Sequence, residues 1–159
     1  MKFSTPDSLI FLDVDGVLHP VSTGSDFCCA PLFNTAIHGY NTQIILASDW
    51  RIGYPLDEIQ TLFNKCGIHI FDTTPDLRTL KPKPKYIREA EIELWRALNA
   101  PSSPFVVVDD NPKLFSASYR KKNVVLTNKD IGFSENNQQA IITKLNASTT
   151  LTSRNRLKT

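Results

Sequence analysis

Apolar residues in this chain fall into short, nearly unbroken runs. Residues 8–14 read SLIFLDV, residues 43–47 QIILA and residues 105–108 FVVV. A run of that length without polar alternation is the pattern of a strand covered on both faces. Residues 123–126, NVVL, repeat it more weakly, and residues 68–71 supply one further short candidate. Between the runs the period changes. Pro55 suits a first helical position, and Asp57 and Glu58 stand near the positive end of the helix dipole. Ile59, Leu62, Phe63 and Cys66 then recur at i, i+3, i+4 and i+7 before Gly67. A second stripe, Ile87, Ala90, Leu94, Ala97 and Leu98, spans about residues 85–98. Residues 31–40, 112–120 and 134–145 are weaker helices, the last with Ser134 as its cap.

Strand and helix patterns therefore alternate. The economical arrangement is a three-layer α/β fold of Rossmann-like type: a mostly parallel sheet of about five strands with helices on both faces. Residues 1–146 read as one domain. Residues 147–159, ASTTLTSRNRLKT, show no periodicity and are expected to form a flexible C-terminal tail. In such sheets function gathers beyond the carboxyl ends of the strands, so the residues that follow each apolar run are the ones to inspect.

Composition narrows the classes. The 159 residues are 41% hydrophobic and 21% charged, enough apolar content for one self-sufficient core. No run approaches the ~18 apolar residues of a membrane helix. Aspartates interrupt the first apolar run as they would not in a secretion signal, so no membrane partner is expected. A net charge of +2 gives no general case for nucleic-acid binding. The three cysteines, Cys28, Cys29 and Cys66, are odd in number and lack a CxxC pair. They point to reduced thiols and a cytoplasmic setting rather than to disulfides or structural zinc.

The candidate chemistry lies at the run ends. The first run closes on Asp13-Val14-Asp15-Gly16, the second on Ser48, and the fourth on Asp109-Asp110-Asn111. Ahead of that last run comes a basic stretch, Lys81-Pro82-Lys83-Pro84-Lys85, with Arg88 close behind. In a parallel sheet Asp13, Asp15 and either Asp109 or Asp110 converge. Three carboxylates so placed repel one another, and a cation removes that cost; hard oxygen donors select Mg²⁺. A carboxylate beside Mg²⁺ can attack phosphorus. A lysine or arginine can neutralise the phosphoryl oxygens, a serine hydroxyl can hold one of them, and a second aspartate can exchange a proton with the leaving oxygen and then with water.

These residues carry a resemblance. Phe11-Leu12-Asp13-Val14-Asp15-Gly16-Val17-Leu18 resembles the first motif of the haloacid dehalogenase (HAD) superfamily. Ile44-Ile45-Leu46-Ala47-Ser48 is similar to its second motif, and Val106-Val107-Val108-Asp109-Asp110 to its fourth. The resemblance implies a phosphatase with Asp13 as nucleophile, Asp15 as general acid/base and Ser48 as phosphate binder. Asp13, Asp109, Asp110 and the Asp15 main-chain carbonyl would hold Mg²⁺. His19-Pro20, Ser48-Asp49-Trp50-Arg51 and Arg88-Glu89-Ala90-Glu91-Ile92 narrow it further. They resemble the DGVLHP, SSWR and RxxEI patterns of small HAD domains associated with RNA-repair proteins, although Asp49 stands where that pattern has Ser. Gly16, His19, Asp49 and Arg51 thereby become candidate substrate contacts. For the cationic partner, Arg88 and Lys85 stand nearly level, and Lys81, within KPKP, ranks third.

Neither residues 16–47 nor residues 49–84 leave room for the lid domain that superfamily members use to select small substrates. An open cleft admits a phosphorylated macromolecule, such as a nucleic-acid end, as well as a small ester. The competing expectation is a HAD-fold binding or regulatory module without catalysis. A phosphoryl-accepting receiver domain fits less well, because its acceptor aspartate follows the third strand.

Overall fold

The computed structural model describes residues 5–24 and 26–156. Five strands form one wholly parallel sheet in the order β3-β2-β1-β4-β5: β1 (Ser8–Leu12), β2 (Thr42–Leu46), β3 (Ile70–Thr73), β4 (Phe105–Asp109) and β5 (Val124–Leu126). The helices are α1 (Ala30–Ile37), α2 (Trp50–Gly53), α3 (Leu56–Asn64), α4 (Ile87–Asn99), α5 (Ala117–Asn123) and α6 (Glu135–Arg156), with 3-10 turns at Val21–Thr23 and Pro112–Leu114.

The unbroken apolar runs have a direct cause. In β1, Ile10 and Leu12 face one layer, with Phe33 of α1, Ile59 and Phe63 of α3, and Ile141 and Leu145 of α6. Leu9 and Phe11 face the other, with Ile92 and Trp95 of α4. Val106 and Val108 of β4 join the first layer and Val107 the second. Each such side chain contributes about 1.5–3 kcal/mol by leaving water, so a polar residue on either face of β1 or β4 would be costly.

Four local details depart from the pattern read along the chain. The strand expected at residues 68–71 begins later, at Ile70. Ile68 is instead part of the α3 terminus: its N–H donates to the Phe63 carbonyl, that of Gly67 to the Asn64 carbonyl, and Gly67 has φ +76°. This is a Schellman closure. The helix expected over residues 112–120 is broken in two, because Phe115 takes extended backbone to reach the core and Ser116 then caps α5 through the Tyr119 N–H. At α6 the Ser134 hydroxyl donates instead of accepting as a cap would: its Oγ–H and the Ser134 N–H both go to Asn137 Oδ1. The backbone of α6 runs on through Arg156, so the residues read as an irregular tail are helical to that point, and residues 157–159 lie outside the described residues.

The register delivers the polar run ends to one edge. Leu12 pairs with Leu46 on one side and Val108 on the other. The ladder then continues one step further, with Asp13 N–H to the Val108 carbonyl at 2.9 Å, Ala47 N–H to Leu12 at 2.8 Å and Thr127 N–H to Asp109 at 3.1 Å. β1 and β4 lie where the winding reverses direction, which is where α/β sheets open a crevice. No inserted lid interrupts the described residues. None of their helices is long and apolar enough to cross a membrane.

Candidate active site

Asp13, Asp109 and Asp110 meet in this crevice, each offering a carboxylate oxygen within 4.8 Å of the others. Asp109 is 1% exposed. One of its oxygens accepts the Asn111 N–H at 2.8 Å, and the other, Oδ2, is buried without a hydrogen-bond donor. Burial, above all, pushes its pKa up to about 7, with Asp110 adding to the rise and Arg88 opposing it. Burial likewise holds Asp13 well above the usual carboxylate range, reinforced by the charge of Asp109 and opposed by Arg88. Asp110 is raised by burial, with Asp15 adding and its bond to Asp13 opposing. Three crowded carboxylates whose pKa values are all raised, Asp109 buried with a bare oxygen and Asp13 and Asp110 half-buried, form a set of hard donors that fits a divalent cation such as Mg²⁺.

Gly16 makes the close packing of the cluster possible. It has φ +77°, and a Cβ there would lie 2.5 Å from Asp110 Oδ2. Any other residue would suffer both an unfavourable backbone and a clash. Its carbonyl accepts the buried Thr127 hydroxyl at 2.6 Å, a tie with no signal in the motif itself. Lys129, on the loop after β5, adds a weak opposing charge at Asp110 and was likewise not anticipated.

Asp15 begins the loop, and its side chain is 56% exposed. Its two oxygens have different partners: Oδ1 meets His19 Nε2 at 2.8 Å, and Oδ2 accepts the Trp50 indole N–H at 2.9 Å. The turn from Val14 to His19 brings the imidazole back beside the carboxylate, with Gly16 N–H donating to the His19 carbonyl at 2.9 Å. His19, a candidate substrate contact, is itself 1% exposed and packs on Phe27. It reaches the cleft only through Asp15.

Ser48 is buried at the end of β2, its hydroxyl accepting the Trp50 N–H at 3.4 Å. Of the cations ranked in the sequence, Arg88 is the one brought to the cluster. It is 5% exposed, and its Nε lies 3.8 Å from Asp109 Oδ2 with no hydrogen bond of its own. Lys81 and Lys85 remain exposed, with Lys85 Nζ over the Tyr86 ring. Arg51, the other expected substrate contact, is turned inward. Its guanidinium donates to the carbonyls of Ser48, Thr74 and Pro75 and pairs with Glu91 at 2.7 Å, which leaves it fastening the strand ends rather than facing the cleft. Glu91 also accepts from Arg88 Nη1 at 3.3 Å and from the Leu77 N–H at 3.1 Å. The i, i+3 spacing of Arg88 and Glu91 is visible along the chain, but the arrival of Arg51 from another element is not. Asp49, 68% exposed, sets one oxygen 3.3 Å from Arg88 Nη2 and 3.7 Å from Arg51 Nη1.

The arrangement thus holds a carboxylate cluster with Asp109 buried at its base, an exposed carboxylate beside it, a buried hydroxyl and a cation with one uncommitted N–H. One family model matches this chain, that of the HAD domain in Swiss Army Knife RNA repair proteins, over residues 9–138. No curated protein and no solved structure matches it.

Proposed function

Because the chain belongs to the family of HAD domains found in Swiss Army Knife RNA repair proteins, we propose that it is a Mg²⁺-dependent phosphomonoesterase working through an aspartyl-phosphate on Asp13. The observation that carries this reading is the convergence of Asp13, Asp109 and Asp110 at the β1/β4 crevice beside the uncommitted Arg88 Nε. Asp13, Asp109, Asp110 and the Asp15 main-chain carbonyl are the groups to hold the ion, which when bound offsets phosphoryl charge and keeps the carboxylates ionised. An Asp13 oxygen attacks phosphorus as the ester P–O bond breaks, and the leaving oxygen takes a proton from the Asp15 carboxyl. Water then gives a proton to Asp15 as it attacks the acyl phosphate, which releases phosphate and restores Asp13. Arg88 and the Ser48 hydroxyl bind phosphoryl oxygens and stabilise the charge spread over them in the transition state.

The open edge of the sheet and the RNA-repair proteins that give the family its description support a phosphorylated nucleic-acid end as substrate. A second reading, a HAD-fold binding or regulatory module without turnover, is favoured by one feature: the Asp49 carboxylate lies against Arg88, on the side of a group needed for phosphate. One experiment separates the two. Phosphate release is measured with and without Mg²⁺ from nucleoside monophosphates, 3′- and 5′-phosphorylated oligonucleotides and phosphopeptides. The expected result is metal-dependent turnover, highest on an oligonucleotide end, that falls at least about a thousandfold in Asp13→Asn. A wild-type protein inert on every ester supports the binding module, and an Asp13→Asn variant with full activity and unchanged melting removes Asp13 as the nucleophile.

A further inference from the structure

We propose that His19 and Trp50 are positioning residues that clamp the Asp15 carboxylate in the orientation its proton transfers require. The inference rests on the reading of Asp15 as general acid/base. The difficulty it addresses is specific to an open site. Asp15 is 56% exposed, and an exposed aspartate on a loop samples several rotamers, each aiming its lone pairs elsewhere. Superfamily members with a lid can order such a group by closure. Here two N–H groups do it from below, one on each oxygen.

The hydrogen-bond directions follow from chemistry. An indole nitrogen only donates, so Trp50 Nε1–H points to Asp15 Oδ2. When Asp15 is ionised its carboxylate only accepts, so in that state His19 Nε2 carries the proton shared with Oδ1. The other ring nitrogen, Nδ1, is buried without a partner. Nothing else therefore competes for this imidazole: among its polar contacts in the described residues, the Asp15 carboxylate is the one it makes. The clamp is rigid in turn. The imidazole packs edge-on to Phe27, with ring centroids 5.4 Å apart, and 6.4 Å from the Trp50 ring, while Phe27 and Trp50 both contact Phe63 of the core. Bonds to both oxygens stop rotation about the terminal torsion of Asp15. Each oxygen keeps one further lone pair, on which the transferred proton can sit. Orientation prepaid in this way is worth rate at the step that moves the proton and little in ground-state binding.

That distinction supplies the test. Protonation of the leaving oxygen matters for an alkyl phosphate, whose alkoxide is a poor leaving group, and hardly at all for p-nitrophenyl phosphate. Both esters are assayed with wild type, His19→Leu, His19→Gln and Trp50→Phe, alongside Asp13→Asn. The expected result is a fall in kcat of about tenfold to a hundredfold on the alkyl ester in His19→Leu and Trp50→Phe. The fall on the aryl ester is several times smaller, and KM changes little. His19→Gln, whose amide can present an N–H where Nε2 stood, recovers most of the loss. A second readout needs no turnover. The protein has two tryptophans, whose indole N–H resonances are resolvable by NMR; that of Trp50 should move in His19→Leu and in Asp15→Asn, while that of Trp95, bound to Asp72, stays in place. Equal losses on both esters with a stationary Trp50 signal would make His19 a packing residue and overturn the inference, with the reading on Asp13 intact. Turnover that survives Asp13→Asn, or a wild type inert on both esters, would overturn that reading instead and take the clamp's catalytic role with it.

Discussion

Two groups of charges lie side by side at the carboxyl edge of the sheet, and they are built on opposite terms. In one, Glu91 is gripped by Arg51 at 2.7 Å and Arg88 at 3.3 Å, with Asp49 on the outer side of both arginines. Two positive and two negative groups are present, and each has an opposite partner. In the other, Asp13, Asp109 and Asp110 crowd together, and only Arg88 opposes them at close range, through a contact of 3.8 Å. The balanced group fastens elements: Arg51 joins α2 to the carbonyls after β3, and Glu91 joins Arg51 to α4, which also carries Arg88. Among the described residues, the unbalanced group joins no helix to the sheet through an ion pair of its own beyond the Arg88 contact, and it is held in place at a cost by the core beneath it. Charge left uncompensated inside a fold is the mark of a site awaiting a ligand, and Arg88 is the residue that belongs to both groups.

The comparison breaks most visibly at Glu91. Glu91→Ala would leave two buried guanidiniums facing each other, and burial together with Arg88 already weakens the hold of Arg51 on its proton. Removing one partner of a buried ion pair costs about 3–5 kcal/mol, so thermal denaturation should show a Tm lower by roughly 10 °C. Glu91→Gln, which keeps the acceptor for the Leu77 N–H, should lose less. A loss under about 1 kcal/mol in the alanine variant would mean that Asp49 alone neutralises both arginines, and the balanced group would then not be a scaffold.

The acidic group makes the opposite prediction, with the sign fixed by its raised pKa. Burial pushes the Asp109 pKa up to about 7 in the folded protein, against about 3.9 for an unfolded aspartate. Between these values the folded state binds more protons, so the metal-free protein should lose stability as pH rises from about 4 to about 7. The loss is on the order of 2–4 kcal/mol. Urea unfolding in the presence of a chelator, at a series of pH values, measures this slope. Asp109→Asn should flatten it, and added Mg²⁺ should flatten its upper end. A stability that rises through the same window would show Arg88 compensating the cluster fully, and the contrast between the two groups would disappear.

Much of this was readable along the chain, for physical reasons that also mark the limit. β1, β2 and β4 were legible because both faces of each are covered, which makes their runs continuous. The placement of Asp13, Ser48 and Asp109 at the carboxyl edge was legible because they end those runs. The HAD resemblance of these motifs agreed with the family match. What was not legible was which polar groups face one another across elements. Arg51 reads as a substrate contact from its place in Ser48-Asp49-Trp50-Arg51; only folding shows its guanidinium turned onto Thr74, Pro75 and Glu91. His19 looked like a substrate contact because it follows the motif; a turn closed by Gly16 aims it at Asp15 instead. Arg88 and Lys85 could not be separated by spacing, and burial separates them. The one-turn α2 was missed because four residues carry no periodicity, although it is what places the Trp50 indole on Asp15.

The smallest effect is expected at Asp49, and it tests the border between the two groups. The pattern this site resembles has a serine there, while this chain sets a carboxylate 3.3 Å from Arg88. Asp49 is 68% exposed, so water screens the pair and the stability change in Asp49→Ser should stay below about 1 kcal/mol. Phosphate is another matter, because the Asp49 carboxylate repels any phosphoryl group that approaches the same guanidinium. Asp49→Ser should tighten competitive inhibition by inorganic phosphate about threefold to tenfold, read as a lower inhibition constant at unchanged Tm. Asp49→Asn should give a similar gain, since both variants remove the charge. Weaker phosphate binding in both would mean that Asp49 aims Arg88 at the substrate rather than screening it, and would move Asp49 out of the balanced group and into the site. Turnover that appears in Asp49→Ser but not in the wild type would show that one carboxylate, placed on the shared arginine, is enough to hold a complete HAD site idle.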